Sequence, residues 1–229
     1  MKSLVIVPAF NEEDNIIHTI NDIRSNCVEM DYIVINDCST DQTELVLKEN
    51  GIQFISLPCN LGIGGGVQTG YQYARDHGYD IAIQFDGDGQ HMAKYLHDLV
   101  KPILDDDADI VIGSRFLEKE GFQSTGIRRF GIRFLSRMIR LLCNIHVSDV
   151  TSGMRAVNRR FIEIYANSYA QDYPEPEAII VAVKNDARIT EVPVEMQERK
   201  QGKSSISPLR SIYYMIKVSI ALILAKFSS

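Results

Sequence analysis

Tyr79-Asp80-Ile81-Ala82-Ile83-Gln84-Phe85 runs straight into Asp86-Gly87-Asp88-Gly89-Gln90. The first seven residues read as a buried strand of a parallel sheet, where both faces are covered and polar–apolar alternation is lost. The two carboxylates then sit at the C-terminal end of that strand, where open α/β sheets bind their ligands. The glycines between and after them would admit a ligand to the backbone. Asp-x-Asp in that place suits a hard divalent cation, Mg2+ or Mn2+. Such ions take one or two carboxylates and complete their shell with water and substrate phosphate oxygens. Asp-Gly pairs are also ordinary turn chemistry, so the rest of the chain decides between a turn and a metal site.

Working outward, strand and helix signals alternate. Leu4 to Val7, Tyr32 to Ile35, Phe54 to Leu57 and Ile81 to Phe85 read as strands. Between them, Asn11 to about Cys27, Thr40 to Asn50 and Val67 to His77 read as helices. The first carries Glu12, Glu13 and Asp14 in its opening turn, the second closes at Gly51, and the third is entered from the glycine run 62–66. A helix over Ala93 to Leu104 and a strand at Ile110 to Ile112 follow. Ile189 to Met196 reads as a late strand, and Pro193 makes it an edge. This alternation predicts an α/β fold, a mostly parallel sheet flanked by helices on both faces.

Each early strand is followed by a polar cluster: Pro8-Ala9-Phe10-Asn11-Glu12, then Asn36-Asp37-Cys38-Ser39-Thr40-Asp41, then Asn60-Leu61-Gly62-Ile63-Gly64, then the Asp-x-Asp. One such cluster is usually a helix cap. Four at the same sheet edge would face one crevice and form a nucleotide site. Asp37 could accept from a base N–H and Glu12 from ribose hydroxyls, and Gly64 and its neighbours would let backbone amides approach phosphate. A Rossmann turn would need its glycines after the first strand, where none stands, and no Walker A sequence occurs.

The chain of 229 residues has a net charge of −6 and is 45% hydrophobic. That is one α/β domain with a C-terminal extension, and an acidic balance argues against a nucleic-acid partner. Cys27, Cys38, Cys59 and Cys143 are widely spaced and read as free buried thiols. The N-terminus enters a strand directly, without the pattern of a signal peptide, which predicts a cytoplasmic chain. Arg129, Arg133, Arg137 and Arg140 would share one stripe of a helix whose other residues include Phe130, Phe134, Leu135, Ile139 and Leu142. Such a helix suits either a solvated face or an anionic membrane surface. From Ser211 to Ala225 the only charge is Lys217. That stretch is shorter than the roughly 20 residues of a bilayer span and reads as a helix docked on the domain, lying at a membrane interface or meeting a membrane partner.

Together these motifs resemble glycosyltransferase family 2. Val7 to Glu13, Asn36 to Asp41, Asn60 to Gly64, Asp86 to His91 and Gly113-Ser114-Arg115-Phe116 stand in that family's order. Asp149-Val150-Thr151-Ser152-Gly153-Met154-Arg155 and Glu198 to Ser205 are similar to its dolichol- and polyprenyl-phosphate sugar transferases. The resemblance implies a GT-A nucleotide-diphospho-sugar fold over 1–206, and the apolar stretch within 207–229 reads as a C-terminal helix beside it. It implies inverting transfer with Mg2+ or Mn2+ and a cell-envelope glycan product. By matching position, Pro8, Ala9, Asn11, Glu12 and Asp37 would bind the nucleoside, Gly64 and Asp86 the diphosphate, and Asp86, Asp88 and Gln90 the metal. Arg115, Arg129 and Arg199 would meet phosphate groups of acceptor or donor, with Ser204 beside Arg199. Ser204-Ser205 replaces the Ser-Lys of the mannose branch, and Gly131 falls where a serine often stands. Both departures count against GDP-mannose, and the family's usual base favours a UDP-sugar. The resemblance also implies a protein peripheral to the inner face of the cell membrane, and it leaves room for a membrane-protein partner.

A polyprenyl phosphate is anionic near neutral pH and needs no general base, only cationic groups to hold it beside an anionic donor. Two alternatives stand beside this reading. One is transfer to a sugar hydroxyl with Asp149 or Glu177 as base, and the other is a non-catalytic nucleotide-sugar-binding subunit.

Overall fold

The computed structural model describes residues 1–118, 126–172, 174–197 and 208–227. In chain order the elements are β1 (Ser3–Ala9), α1 (Ile16–Asn26), β2 (Asp31–Asn36), α2 (Thr43–Glu49), β3 (Phe54–Ser56), α3 (Gly62–Asp76), β4 (Ile81–Gln84), α4 (Leu96–Leu104), β5 (Ile110–Ser114), α5 (Gly126–Cys143), β6 (Arg155–Asn158), α6 (Arg159–Asn167), α7 (Pro174–Lys184), β7 (Ile189–Pro193) and α8 (Pro208–Phe227). The strands form one seven-stranded sheet in the order β3-β2-β1-β4-β6-β5-β7. All neighbouring pairs are parallel except those made by β6, which runs antiparallel to β4 and β5. The Pro193-bearing strand lies at an edge, pairing only with β5, as its proline requires.

Because side chains alternate across a strand, β1 divides its apolar residues between two cores. Leu4 and Ile6 face one side with Ile33, Ile35, Val67, Tyr71 and residues of α5 to α8. Val5 and Val7 face the other with Ile16, Ile20, Leu47, Leu96 and Leu99. Two-sided burial of β1 and β4 accounts for their unbroken apolar runs. Helix α8 packs on α5 and α7 and buries Val218 and Leu222. Ile223, Leu224 and Phe227 remain exposed. Among the described residues no helix is long and apolar enough to cross a membrane.

Two expectations need correction here. The glycine run 62–66 is not a loop leading into a helix but the first turns of α3 itself. Only two of the four cysteines are buried, Cys27 and Cys143, while Cys59 is exposed and Cys38 is partly so. Burial pushes the Cys27 thiol up to about 11, which leaves it protonated and inert at neutral pH.

Candidate active site

The parallel strands bring residues 8–12, 36–41, 85–90 and 114–116 to one edge of the sheet. The antiparallel β6 adds the 149–153 loop, which enters from that same edge. The end of β1 is the hub. Ala9 O accepts the Asp37 N–H at 2.9 Å, and Pro8 O accepts the Gly87 N–H at 3.2 Å. Asp37 and the Asp-x-Asp turn therefore flank β1 from either side.

On the nucleoside side the predicted residues are gathered, but their polar groups already have protein partners. Asn11 adopts a left-handed φ of +56°, a conformation asparagine tolerates better than most residues. Its Oδ1 accepts the Thr40 N–H at 2.8 Å, and its own N–H reaches Ser39 Oγ at 3.0 Å. Glu12 is buried, accepts from Asn15 Nδ2 at 2.8 Å and donates its N–H to Thr43 Oγ1. Asp37 is also buried, and its two carboxylate oxygens accept the N–H groups of Leu61 and Gly62 at 2.7 and 2.9 Å. These contacts make Asp37 an anchor for the start of α3, where helix amides otherwise lack acceptors.

Gly64 sits at a tight packing contact. A Cβ there would fall 2.1 Å from Ala170 O and 2.5 Å from Gln171 O, so another backbone segment lies against the start of α3. Gly64→Ala is expected to cost about 1–3 kcal/mol as an overpacked contact, or roughly 2–12 °C in melting temperature. Unchanged melting with weakened nucleotide binding would instead return Gly64 to the ligand site.

At the Asp-x-Asp turn, Asp86 is tightly held. Its N–H donates to His91 Nδ1 at 3.0 Å, and its Oδ1 accepts from Gln84 Nε2 at 3.3 Å. A Cβ on Gly153 would lie 2.6 Å from Asp86 Oδ2, so a larger residue there would displace that carboxylate. Asp88 Oδ1 accepts the Gln90 N–H at 3.0 Å across a turn in which Gly89 has φ of +75°. Gln90 is tied to Gln197, donating from Nε2 at 3.3 Å and accepting at its carbonyl at 2.8 Å. That contact leaves Oε1 as the one Gln90 side-chain atom able to serve a cation. Among the described residues no group of three or more His, Cys, Asp or Glu side chains forms a closed metal cage. Two carboxylates on a glycine-bearing turn, with oxygen donors throughout, fit Mg2+ or Mn2+, whose remaining positions go to water and phosphate.

Arg115 departs most from expectation. Its guanidinium is buried and makes a bidentate pair with Asp149, Nε to Oδ2 at 2.6 Å and Nη2 to Oδ1 at 2.7 Å, with a further bond to Thr151 Oγ1 at 3.1 Å. Asp149 is fully buried and must carry a counter-charge. Glu191 then accepts the N–H groups of Ser148 and Asp149 at 2.8 and 2.9 Å. Arg115 therefore braces the 149–153 loop instead of presenting itself to an anion, and Asp149 is closed as a general base. Glu177, the other candidate base, is half-buried on α7. Burial holds its carboxyl above the usual range, with Asp172 adding to the rise and Lys217 opposing it.

Arg129 stands in the first half of α5. With Arg133, Arg137 and Arg140 it lines a cleft of about 560 Å³, closed by Phe116, Ser136, His146 and Ser148. None of the four arginines has an ion-pair partner among the described residues. Ser148 adjoins Asp149, so the 149–153 loop separates this cationic cleft from Asp86. Arg199 and Ser204 lie outside the described residues.

Three further residues stand at the site to which motif reading gave no role. Arg155, almost wholly buried, donates to Ser152 O at 3.1 and 2.7 Å and to Glu175 O at 3.0 Å, pinning the loop to α7. Burial raises the Glu175 carboxyl above its ordinary range, partly offset by Arg155. Gln84 interrupts an apolar strand, which was the available signal.

A model of glycosyl transferase family 2 matches residues 4–165. UDP-N-acetylglucosamine–dolichyl-phosphate N-acetylglucosaminyltransferase of Methanococcus voltae is 30% identical, over 83% of this chain and 84% of its own. Polyprenol monophosphomannose synthase of Mycolicibacterium smegmatis is 26% identical over 95% and 86%. Glucosyl-3-phosphoglycerate synthase from Mycobacterium tuberculosis, solved with Mn2+, UDP-glucose and phosphoglyceric acid, superposes with a TM-score of 0.74 at 22% identity. That match covers 98% of this chain and 79% of the other and identifies the fold as GT-A. On this evidence the chain belongs to glycosyl transferase family 2 and is similar to its dolichyl- and polyprenyl-phosphate sugar transferases.

Proposed function

We propose that this protein transfers a monosaccharide, with inversion, from a UDP-sugar to a polyprenyl phosphate, giving a lipid-linked sugar for cell-envelope glycan assembly. The observation that carries the reading is the cleft lined by Arg129, Arg133, Arg137 and Arg140, which have no ion-pair partner among the described residues. Its similarity to lipid-phosphate sugar transferases supports the same acceptor class. Asp86 and Asp88, with Gln90 Oε1 as a further oxygen donor, would hold Mg2+ or Mn2+ against the donor diphosphate. The bound cation supplies electrostatic stabilisation of the departing nucleoside diphosphate. Pro8, Ala9, Asn11 and the Asp37 loop border the nucleoside.

The chain's own residues account for the rest. Arg129 and Arg133 take the acceptor phosphate, whose oxygen is already anionic and attacks without losing a proton. A hydroxyl acceptor would need a base, and Asp149 has both oxygens on Arg115. Residues 1–206 form the catalytic unit in this reading, and 207–229 an apolar helix beside it. Exposed Phe130 and Phe134 accompany the arginines on α5, a combination suited to the inner face of the cell membrane. A membrane-protein partner could share that face. Arg129→Gln and Arg133→Gln are each expected to raise the KM for polyprenyl phosphate about 10-fold, the loss of one charge-assisted hydrogen bond, with the donor KM unchanged. A rise in donor KM alone would move these arginines to the nucleotide and remove the acceptor assignment.

A further inference from the structure

Gln84 ends β4 with no exposed surface, an amide in a strand otherwise built of Ile81, Ala82 and Ile83. Burying an amide is unfavourable unless each end is bonded, and an apolar residue would serve the strand's stability equally well. Here both ends are bonded, and one of the bonds goes to Asp86. Nε2 donates to Asp86 Oδ1 at 3.3 Å, and Oε1 accepts from Tyr169 Oη at 3.4 Å. Arg155, the residue paired with Gln84 across the β4–β6 register, holds the start of α7 through the Glu175 carbonyl. Tyr169 is held by its neighbours, its ring 5.4 Å from Tyr71 and 5.1 Å from Tyr165. Gly153 closes the opposite side of Asp86.

We propose that Gln84, held by Tyr169, is a positioning residue that sets the direction in which Asp86 presents its carboxylate to the cation. The inference rests on the reading that Asp86 holds Mg2+ or Mn2+, and it adds the device that aims it. Outer hydrogen bonds of this kind orient metal-binding carboxylates, and their loss typically weakens metal affinity about 10–100-fold.

The test is Mn2+ binding in the presence of UDP, followed by the electron paramagnetic resonance signal of free Mn2+, on wild type, Gln84→Leu and Tyr169→Phe. Gln84→Leu is expected to weaken the Mn2+ Kd by about 10-fold or more, Tyr169→Phe by less, with kcat recovering at saturating Mn2+. Tyr169→Phe removes one hydroxyl and carries the test should Gln84→Leu not fold. A folded Gln84→Leu or Tyr169→Phe that lowers the melting temperature but binds Mn2+ as wild type does makes Gln84 structural only and overturns the proposal. Wild type that binds no Mn2+ with UDP overturns the metal reading itself, and this inference with it.

Discussion

Asp149→Asn lowers the melting temperature by roughly 6–20 °C. The substitution leaves the Arg115 guanidinium buried opposite a neutral amide, and breaking a buried pair from one side costs about 3–5 kcal/mol. For a chain of this size each kcal/mol is worth roughly 2–4 °C. The pair is nearly solvent-free, with side-chain exposures of 6% and 0%, so screening by water does not reduce the figure much. Replacing both partners, Arg115→Met with Asp149→Leu, is expected to recover most of the loss, because two apolar groups of similar volume carry no desolvation cost. A circular-dichroism melt decides the matter. A single variant melting within about 2 °C of wild type would mean that Arg115 finds another anion, and its place as the brace of the loop would fall.

Asp88→Asn leaves the fold intact and cuts turnover by about 10³-fold. The residue lies on a partly exposed turn, where substitutions usually change stability by less than about 0.5 kcal/mol. Its carboxylate matters through the charge it offers a cation beneath the diphosphate, and loss of one preorganised electrostatic contact costs about 10²–10³ in rate. Initial rates with saturating donor and Mn2+, alongside the melting temperature, separate the two effects. Wild-type turnover from a folded Asp88→Asn protein would remove the metal role.

The parts of this molecule that were legible in its sequence are those governed by local pattern. β1, β2 and β4 are apolar runs because both faces of a central strand are covered, and runs of that kind are visible without any partner. The Asp-x-Asp turn and the arginine stripe of α5 were legible for the same reason, since their spacing is set within one element. What stayed hidden depends on pairs far apart in the chain. The glycine run suggested a phosphate cradle, but Gly64 is small because residues 170 and 171 pass against it. Arg115 suggested an anion site, but its partner is 34 residues away. β6 has four residues, one of them a buried arginine. Neither strand nor helix periodicity can be read in so short a stretch. Arg155 and Gln84 acquire meaning only once β6 is known to lie beside β4.

The acceptor is the centre of this account, and its chemistry can be measured directly. The protein, Mn2+ and a panel of radiolabelled UDP-sugars should be incubated with undecaprenyl phosphate in one arm and undecaprenol in the other, with product extracted into organic solvent. Label entering the organic phase only with the phosphate is the predicted result, since an anionic oxygen held by arginines needs no base. Transfer to undecaprenol, or no lipid-linked product from any sugar by folded protein, would contradict it.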